Sequence, residues 1–297
     1  VLTLEGVGEV FVTFRDPPEA AAPAGPAPLA GVRRVVAVGS GKGGVGKSTV
    51  AVNLAAALKQ RGLTVGLLDA DIYGPSAAIM TGTAQHRARA DDRKRVLPAD
   101  AHGFKVISVA FLLPPDQSAI IWRGPLVGRM VTQLLTDVAW GELDLLVVDL
   151  PPGTGDAVLS LAQTVPISGA VVVTTPQEVA MIDVVKAVEM FGSVHVPVVG
   201  IVENMAGFTC PGCGHTTHIF LEGAGRRTAE RFGIPLLGSV PLDPAVPPGG
   251  DGGVPIVLAE PDGPSARIFL AMAERTVERL EEIAGAGTGA RVDLKWD

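Results

Sequence analysis

The sequence is poor in cysteine, in positive charge and in uninterrupted apolar runs. Its 297 residues include two cysteines, which excludes a disulfide framework and points to a reducing compartment. Lys and Arg number 24 against 31 Asp and Glu, a net charge of −7. That balance argues against a general polyanion binder, because affinity for nucleic acid comes largely from cations neutralising phosphates. The tempting uncharged run 157–177 is broken by Pro166, Pro176 and several polar residues. It reads as helix, turn and buried strand rather than a membrane span. No charged-then-apolar leader opens the sequence, no internal repeat is visible, and no G-x-S-x-G elbow supports a serine hydrolase. Hydrophobic residues at 47% and charged ones at 19% exclude a disordered or fibrous chain. A cytoplasmic α/β protein, able to bury roughly three quarters of its unfolded surface, is expected.

Residues 1–15 alternate apolar and polar and are expected to be the remnant strand of a small preceding domain. Thirteen of the sixteen residues 16–31 are Pro, Ala or Gly, the composition of a semi-extended linker. The main domain is expected over 32–284, with a flexible tail at 285–297. Within it, strands are predicted at 33–38, 64–68, 104–109, 143–148, 170–174, 198–202 and 236–240. Helices are predicted at 47–61, 125–138 and 263–283, with further helices between the later strands. Near-continuous apolar strands separated by helices imply a doubly wound, mostly parallel sheet covered on both faces. Ligands then bind at the carboxyl ends of the strands.

Between the first strand and helix lies Gly41-Lys42-Gly43-Gly44-Val45-Gly46-Lys47-Ser48, a match to G-x-x-x-x-G-K-[ST] in its proper context. Glycines let backbone N–H groups approach phosphate oxygens, and the helix N-terminus adds its dipole. Lys47 should reach the β- and γ-phosphates and Ser48 should bind Mg²⁺. G-x-G-x-x-G also occurs from Gly39 and from Gly41, but the Gly-Lys-Ser ending decides against a dinucleotide fold. The strand Leu145–Asp149 (LLVVD) has Walker B form, with Asp149 holding Mg²⁺ directly or through water. The following PPGTGD can place the Gly153 N–H near the γ-phosphate. Asp69 and Asp71 end the second strand, where turn and capping chemistry ahead of Ser76 is the alternative to a role at the nucleotide. Cys210-Pro211-Gly212-Cys213 is compatible with half of an intersubunit metal site, a zinc site with His215 and His218, a redox dithiol or a structural turn. The basic run 86–95 is best read as a solvated loop.

Lys42 is not required by the basic motif. KGGVGKST, residues 42–49, resembles the deviant Walker A loop of the MinD/ParA/nitrogenase-iron-protein superfamily. That resemblance implies that Lys42 reaches a partner subunit's nucleotide and that Thr49 joins the phosphate loop. It further implies that Asp71 orients attacking water, that Asp69 sits near Mg²⁺, and that Asn204 reads adenine with Pro241 and Asp243 lining the base pocket. DADIYGPS, WRGP, WGELDLLVVDLPPGTGD, VVVTTPQEVAMID, IVENMAGFTCPGCG and LLGSVPLDP together resemble the Mrp/ApbC family of iron–sulfur cluster carrier ATPases. For that family the resemblance implies a [4Fe–4S] cluster bridged across a homodimer by Cys210 and Cys213 of each chain, and transfer to apoproteins. The sequence departs from the family at Leu221, where Gly is usual, and at Pro247, where a basic residue is usual. A MinD/ParA-like positioning ATPase and an electron-transfer ATPase are the rivals. The first would need a basic membrane helix or DNA face. The predicted C-terminal helix instead mixes Glu274, Glu278, Glu281 and Glu282 with Arg267, Arg275 and Arg279. Neither nucleic acid nor membrane is expected as a partner.

Overall fold

The computed structural model describes residues 25–112, 124–153, 155–220 and 223–286. The predicted strand at 1–15, most of the linker, Trp122 and Arg123, Leu221 and the tail from 287 lie outside the described residues. Eight strands form one sheet: β1 Val35–Gly39, β2 Val65–Asp69, β3 Ala99–Ala101, β4 Phe104–Ser108, β5 Leu145–Asp149, β6 Gly169–Thr174, β7 Val198–Asn204 and β8 Leu236–Val240. Their order across the sheet is β8-β7-β6-β1-β5-β2-β4-β3. Every pairing is parallel except that of β3 with β4. β1, β2, β5 and β6 are buried at every position. Helices cover both faces, which is why these strands read as unbroken apolar runs instead of alternating ones.

β3 is absent from the sequence reading. Three residues carry too little pattern, and the hairpin rests on His102 and Gly103, with φ of 53° and 81°. Two successive positive-φ residues make the tight turn whose twist suits a hairpin. The basic run forms a second small ribbon, Arg89–Ala90 against Val96–Leu97, closed by a turn in which Arg95 pairs with Asp91 at 2.8 Å. The end of the predicted linker docks on the body: Leu29 packs against the core, and the Ala27 N–H donates to the Thr164 carbonyl.

The helix Lys47–Gln60 is buried from Val50 to Leu58. It lies between the sheet and the C-terminal helix Pro264–Gly285. That second helix turns inward Ala266, Phe269, Met272, Ala273, Thr276 and Leu280, the spacing of one helical face. Burying Phe269 and Met272 contributes about 1.5–3 kcal/mol each. On the opposite layer run the helices Gly124–Thr136, Gly155–Thr164, Glu178–Ser193 and Ala224–Phe232. The run 157–177 thus resolves into a helix and β6, as its two prolines indicate. Pro247 stands in the first turn of the short helix Val246–Asp251, where a missing N–H costs nothing.

Candidate functional site

β1 delivers the chain to the carboxyl end of the sheet, flanked by β5 and β6, and the glycine-rich loop turns there into the helix Lys47–Gln60. Gly44 and Gly46 take φ of 78° and 77°, a backbone that L side chains avoid. A Cβ at Gly46 would collide with Asn204 Nδ2, and one at Gly41 with the backbone of Asp183. Glycine is therefore required by close approach at 41, and by both close approach and conformation at 46. No side chain among the described residues caps the helix. Its first N–H groups face the loop, the arrangement that receives phosphate.

Lys47 is 5% exposed. Its Nζ lies 2.5 Å from Asp149 Oδ1, 3.4 Å from Asp71 Oδ2 and 3.2 Å from Ser48 Oγ. Parallel register puts Asp69 at the end of β2 beside Asp149 at the end of β5. Burial raises the Asp149 carboxyl above the ordinary carboxylate range, against the pull of Lys47. Asp69 is pushed up to about 8, by burial first and then by the charge of Asp149. The Ser48 hydroxyl hydrogen-bonds Asp149. Asp149 Oδ2 is buried and has no hydrogen-bond partner among the described residues. An orphaned carboxylate oxygen next to a hydroxyl is a donor set that fits a hard divalent cation such as Mg²⁺.

Asp69 is occupied differently. Its Oδ1 accepts from the Asp71 N–H at 3.2 Å, and its Oδ2 accepts from the Ala77 N–H at 3.2 Å and the Ser108 hydroxyl at 3.0 Å. The capping role read for Ser76 falls to it instead. Ser76 occupies the N-cap position of Ala77–Met80 without a side-chain cap bond, and Asp69 holds the N–H of the first helical residue from the strand end. Asp71 Oδ1 accepts from the Gly74 N–H at 3.3 Å, which holds its other oxygen toward Lys47.

Around this centre the structure gathers most of the remaining predicted residues. Asn204 ends β7, and its Nδ2 donates to the Val45 carbonyl at 2.9 Å. It clamps the loop, a contact the adenine expectation did not include. The Gly153 N–H donates to the Ser40 carbonyl at 3.2 Å. Lys42 Nζ donates to Gln177 Oε1 of its own chain at 3.1 Å. Pro241 and Asp243 lie on the loop after β8. Asp243 accepts from the Ala245 N–H at 3.0 Å and from the Ser265 hydroxyl at 2.6 Å, tying this loop to the C-terminal helix. Sequence reasoning missed Gln177, Ser108 and Glu203. Gln177 stands inside a quoted motif, but nothing local marks it as the partner of a lysine 135 positions away.

The cysteine pair sits at the tip of an exposed hairpin whose strands are Phe208–Thr209 and Thr216–Thr217. The Cys210 N–H donates to the His215 carbonyl at 2.9 Å, and the Gly214 N–H donates to the Cys210 carbonyl at 2.8 Å. The thiol of Cys210 accepts hydrogen bonds from the Gly212 and Cys213 N–H groups, which lower its pKa. That favours the thiolate, the form that binds metal. Among the described residues no group of three His, Cys, Asp or Glu is placed to hold a metal ion. The zinc reading with His215 and His218 has no assembled site there.

A glycine-rich loop at the switch point of a doubly wound sheet, with its lysine on the strand-end aspartate, defines a P-loop nucleotide-binding protein. More narrowly, the chain belongs to the ParA-type family described as NUBPL iron-transfer P-loop NTPase, whose model matches residues 31–277. It is 51% identical over 290 residues to an iron-sulfur cluster carrier protein of Deinococcus radiodurans, covering 95% of this chain and 81% of that one. It is 45% identical over 256 residues to the iron-sulfur cluster transfer protein NUBPL of Dictyostelium discoideum, covering 86% and 79%. Among solved structures, the nucleotide-binding protein of Archaeoglobus fulgidus in complex with ADP aligns with a TM-score of 0.70 at 39% identity, covering 81% of this chain and 93% of that one. The cell division ATPase MinD of Pyrococcus furiosus, at 24% identity and a TM-score of 0.62 over 83% and 99%, shares the fold.

Proposed function

We propose that the chain is an ATPase that carries an iron–sulfur cluster as cargo and passes it to apoproteins, working as a homodimer. The observation that carries this reading is the path of β7. Asn204 at its end holds the phosphate loop, and the same backbone then rises into an exposed turn bearing both thiols of the chain. Two thiolates per chain supply half of the four that a [4Fe–4S] cluster takes, so two chains complete the set.

In this reading residues 41–49 bind the phosphates of ATP, and Lys47 exchanges its carboxylate contacts for β- and γ-phosphate oxygens. Ser48 and Asp149 would hold Mg²⁺, with Asp69 near it, and the ion would supply charge neutralisation at the phosphate oxygens. Asp71 orients the attacking water and takes its proton as the bond from the γ-phosphorus to the bridging oxygen breaks, releasing ADP and phosphate. Gly153 approaches the γ-phosphate, and Asn204, Pro241 and Asp243 frame the adenine. Lys42 leaves Gln177 for the partner's nucleotide, where a cation in trans is worth on the order of 10³–10⁵ in rate.

A positioning ATPase at a lipid surface is less well supported, because the apolar face of Pro264–Gly285 is already buried. No helix among the described residues is long and apolar enough to cross a membrane. The test is anaerobic reconstitution with iron and sulfide, wild type beside Cys210→Ala/Cys213→Ala and Lys47→Ala. About four irons per dimer, lost in the double variant and kept in Lys47→Ala while ATPase activity disappears, is the expected result. Iron binding indifferent to the cysteines would remove the carrier reading.

A further inference from the structure

Between the phosphate loop and the cysteine hairpin runs a short stretch whose residues face opposite ways. Asn204 holds the Val45 carbonyl of the loop. Glu203, its neighbour, points to the other side and is 4% exposed. Its Oε1 accepts from the Gly225 N–H at 2.7 Å, and its Oε2 accepts from the Ser239 hydroxyl at 3.4 Å. Gly225 lies in the first turn of the helix Ala224–Phe232, the element that follows the hairpin. A Cβ on Gly225 would stand 2.9 Å from Glu203, so helix and carboxylate are in close contact.

Met205 comes next, with φ of 59°. A non-glycine residue in the left-handed region is strained and persists only where its surroundings enforce it. Here they do so from both ends. The Met205 Cε lies 4.0 Å from where a Cβ on Gly46 would sit. Beyond it the Ala206 N–H donates to the Val240 carbonyl at 2.9 Å, and the Gly207 carbonyl accepts from the Leu242 N–H at 2.6 Å. The returning strand of the hairpin rests on this segment, with His218 Nδ1 at 3.3 Å from the Ala206 carbonyl. Both feet of the hairpin therefore rest on groups anchored by Glu203 to Gly207, and that stretch begins at the clamp on the phosphate loop.

We propose that the Glu203-Asn204-Met205 turn transmits the state of the phosphate loop to the cysteine hairpin, with Glu203 and Met205 as positioning residues. A ligand that shifts the loop carbonyl held by Asn204 changes the strained Met205 backbone, and Glu203 fixes the helix against which the hairpin must move. The loop after Asp149 also touches the phosphate loop, through Gly153 and Ser40.

This inference rests on the proposed function only for the purpose of the coupling. Its test needs no cluster. The two cysteines of the chain are both on the hairpin, so the rate of alkylation by iodoacetamide reads the hairpin alone. In wild type, saturating Mg-ATP is expected to change that rate about fivefold or more, the scale of a modest coupling energy. In Met205→Gly, where the strain is released, and in Glu203→Ala, the change should fall below about twofold. Nucleotide affinity should stay within about threefold of wild type. Glu203→Gln, which keeps one acceptor oxygen, should restore part of the coupling and serves if Glu203→Ala does not fold. Full coupling in Met205→Gly and Glu203→Ala alike, or alkylation in wild type that ignores a bound nucleotide, overturns the inference. Nucleotide-coupled alkylation in a chain that assembles no cluster would instead remove the carrier reading and leave this one standing.

Discussion

At the scale of single residues, the site concentrates carboxylates where burial resists their charge. Asp69 is held at about 8 by burial and by Asp149, far above an ordinary aspartate. The folded state therefore keeps a proton that the unfolded chain has already lost, and it binds more protons than the unfolded state between about pH 4 and 8. Stability must then fall as pH rises through that window and level off above it. The chain without added nucleotide or Mg²⁺ should therefore lose stability steadily between pH 5 and pH 8. Asp69→Asn should flatten the slope. Urea unfolding at a series of pH values measures both, and a wild-type profile flat across this range would contradict the assignment. These residues also show what the sequence could and could not display. Asp149 and the glycine-rich loop were legible because their motifs are contiguous. The three donors on Asp69 were not, since two of them, Ala77 and Ser108, arrive through a turn and a neighbouring strand.

At the scale of elements, the phosphate loop separates two costs that a motif does not distinguish. Gly44 and Gly46 share nearly the same positive φ. Around Gly44 nothing stands within 4 Å of an added Cβ, whereas at Gly46 the Asn204 amide blocks it. Gly44→Ala should therefore cost the fold only the backbone strain, about 1–2 kcal/mol. Gly46→Ala must also break the clamp between Asn204 and Val45, and nucleotide affinity should fall at least tenfold. Isothermal titration with ADP beside thermal unfolding tests the pair, and equal losses in the two variants would refute the distinction. The elements themselves followed from period and punctuation. β8 occupies the predicted residues, and the C-terminal helix Pro264–Gly285 departs from 263–283 only at its ends. β3 escaped because a three-residue edge strand is specified by the turn after it, not by its own composition.

At the scale of the whole molecule, the scarcity of thiols limits what one chain can hold. With two cysteines, both on one exposed hairpin, one chain offers a cluster only half of its ligands. Composition alone could not say whether a second chain or a pair of histidines supplies the rest. Two copies related by a twofold axis would bring equivalent hairpins together. This makes a quantitative prediction for mixtures. Wild type and Cys210→Ala/Cys213→Ala chains, unfolded together and refolded at equal amounts before reconstitution, should pair at random. If four thiolates from two chains are needed, only about one quarter of the dimers, those with two wild-type chains, can hold cargo. Cluster content measured by iron and by visible absorbance would then fall to about one quarter of the all-wild-type value. A site completed within one chain would instead leave about one half. The two outcomes are far enough apart for a single titration of the mixing ratio to separate them. A quadratic dependence on the wild-type fraction supports the bridged site, and a linear one contradicts it.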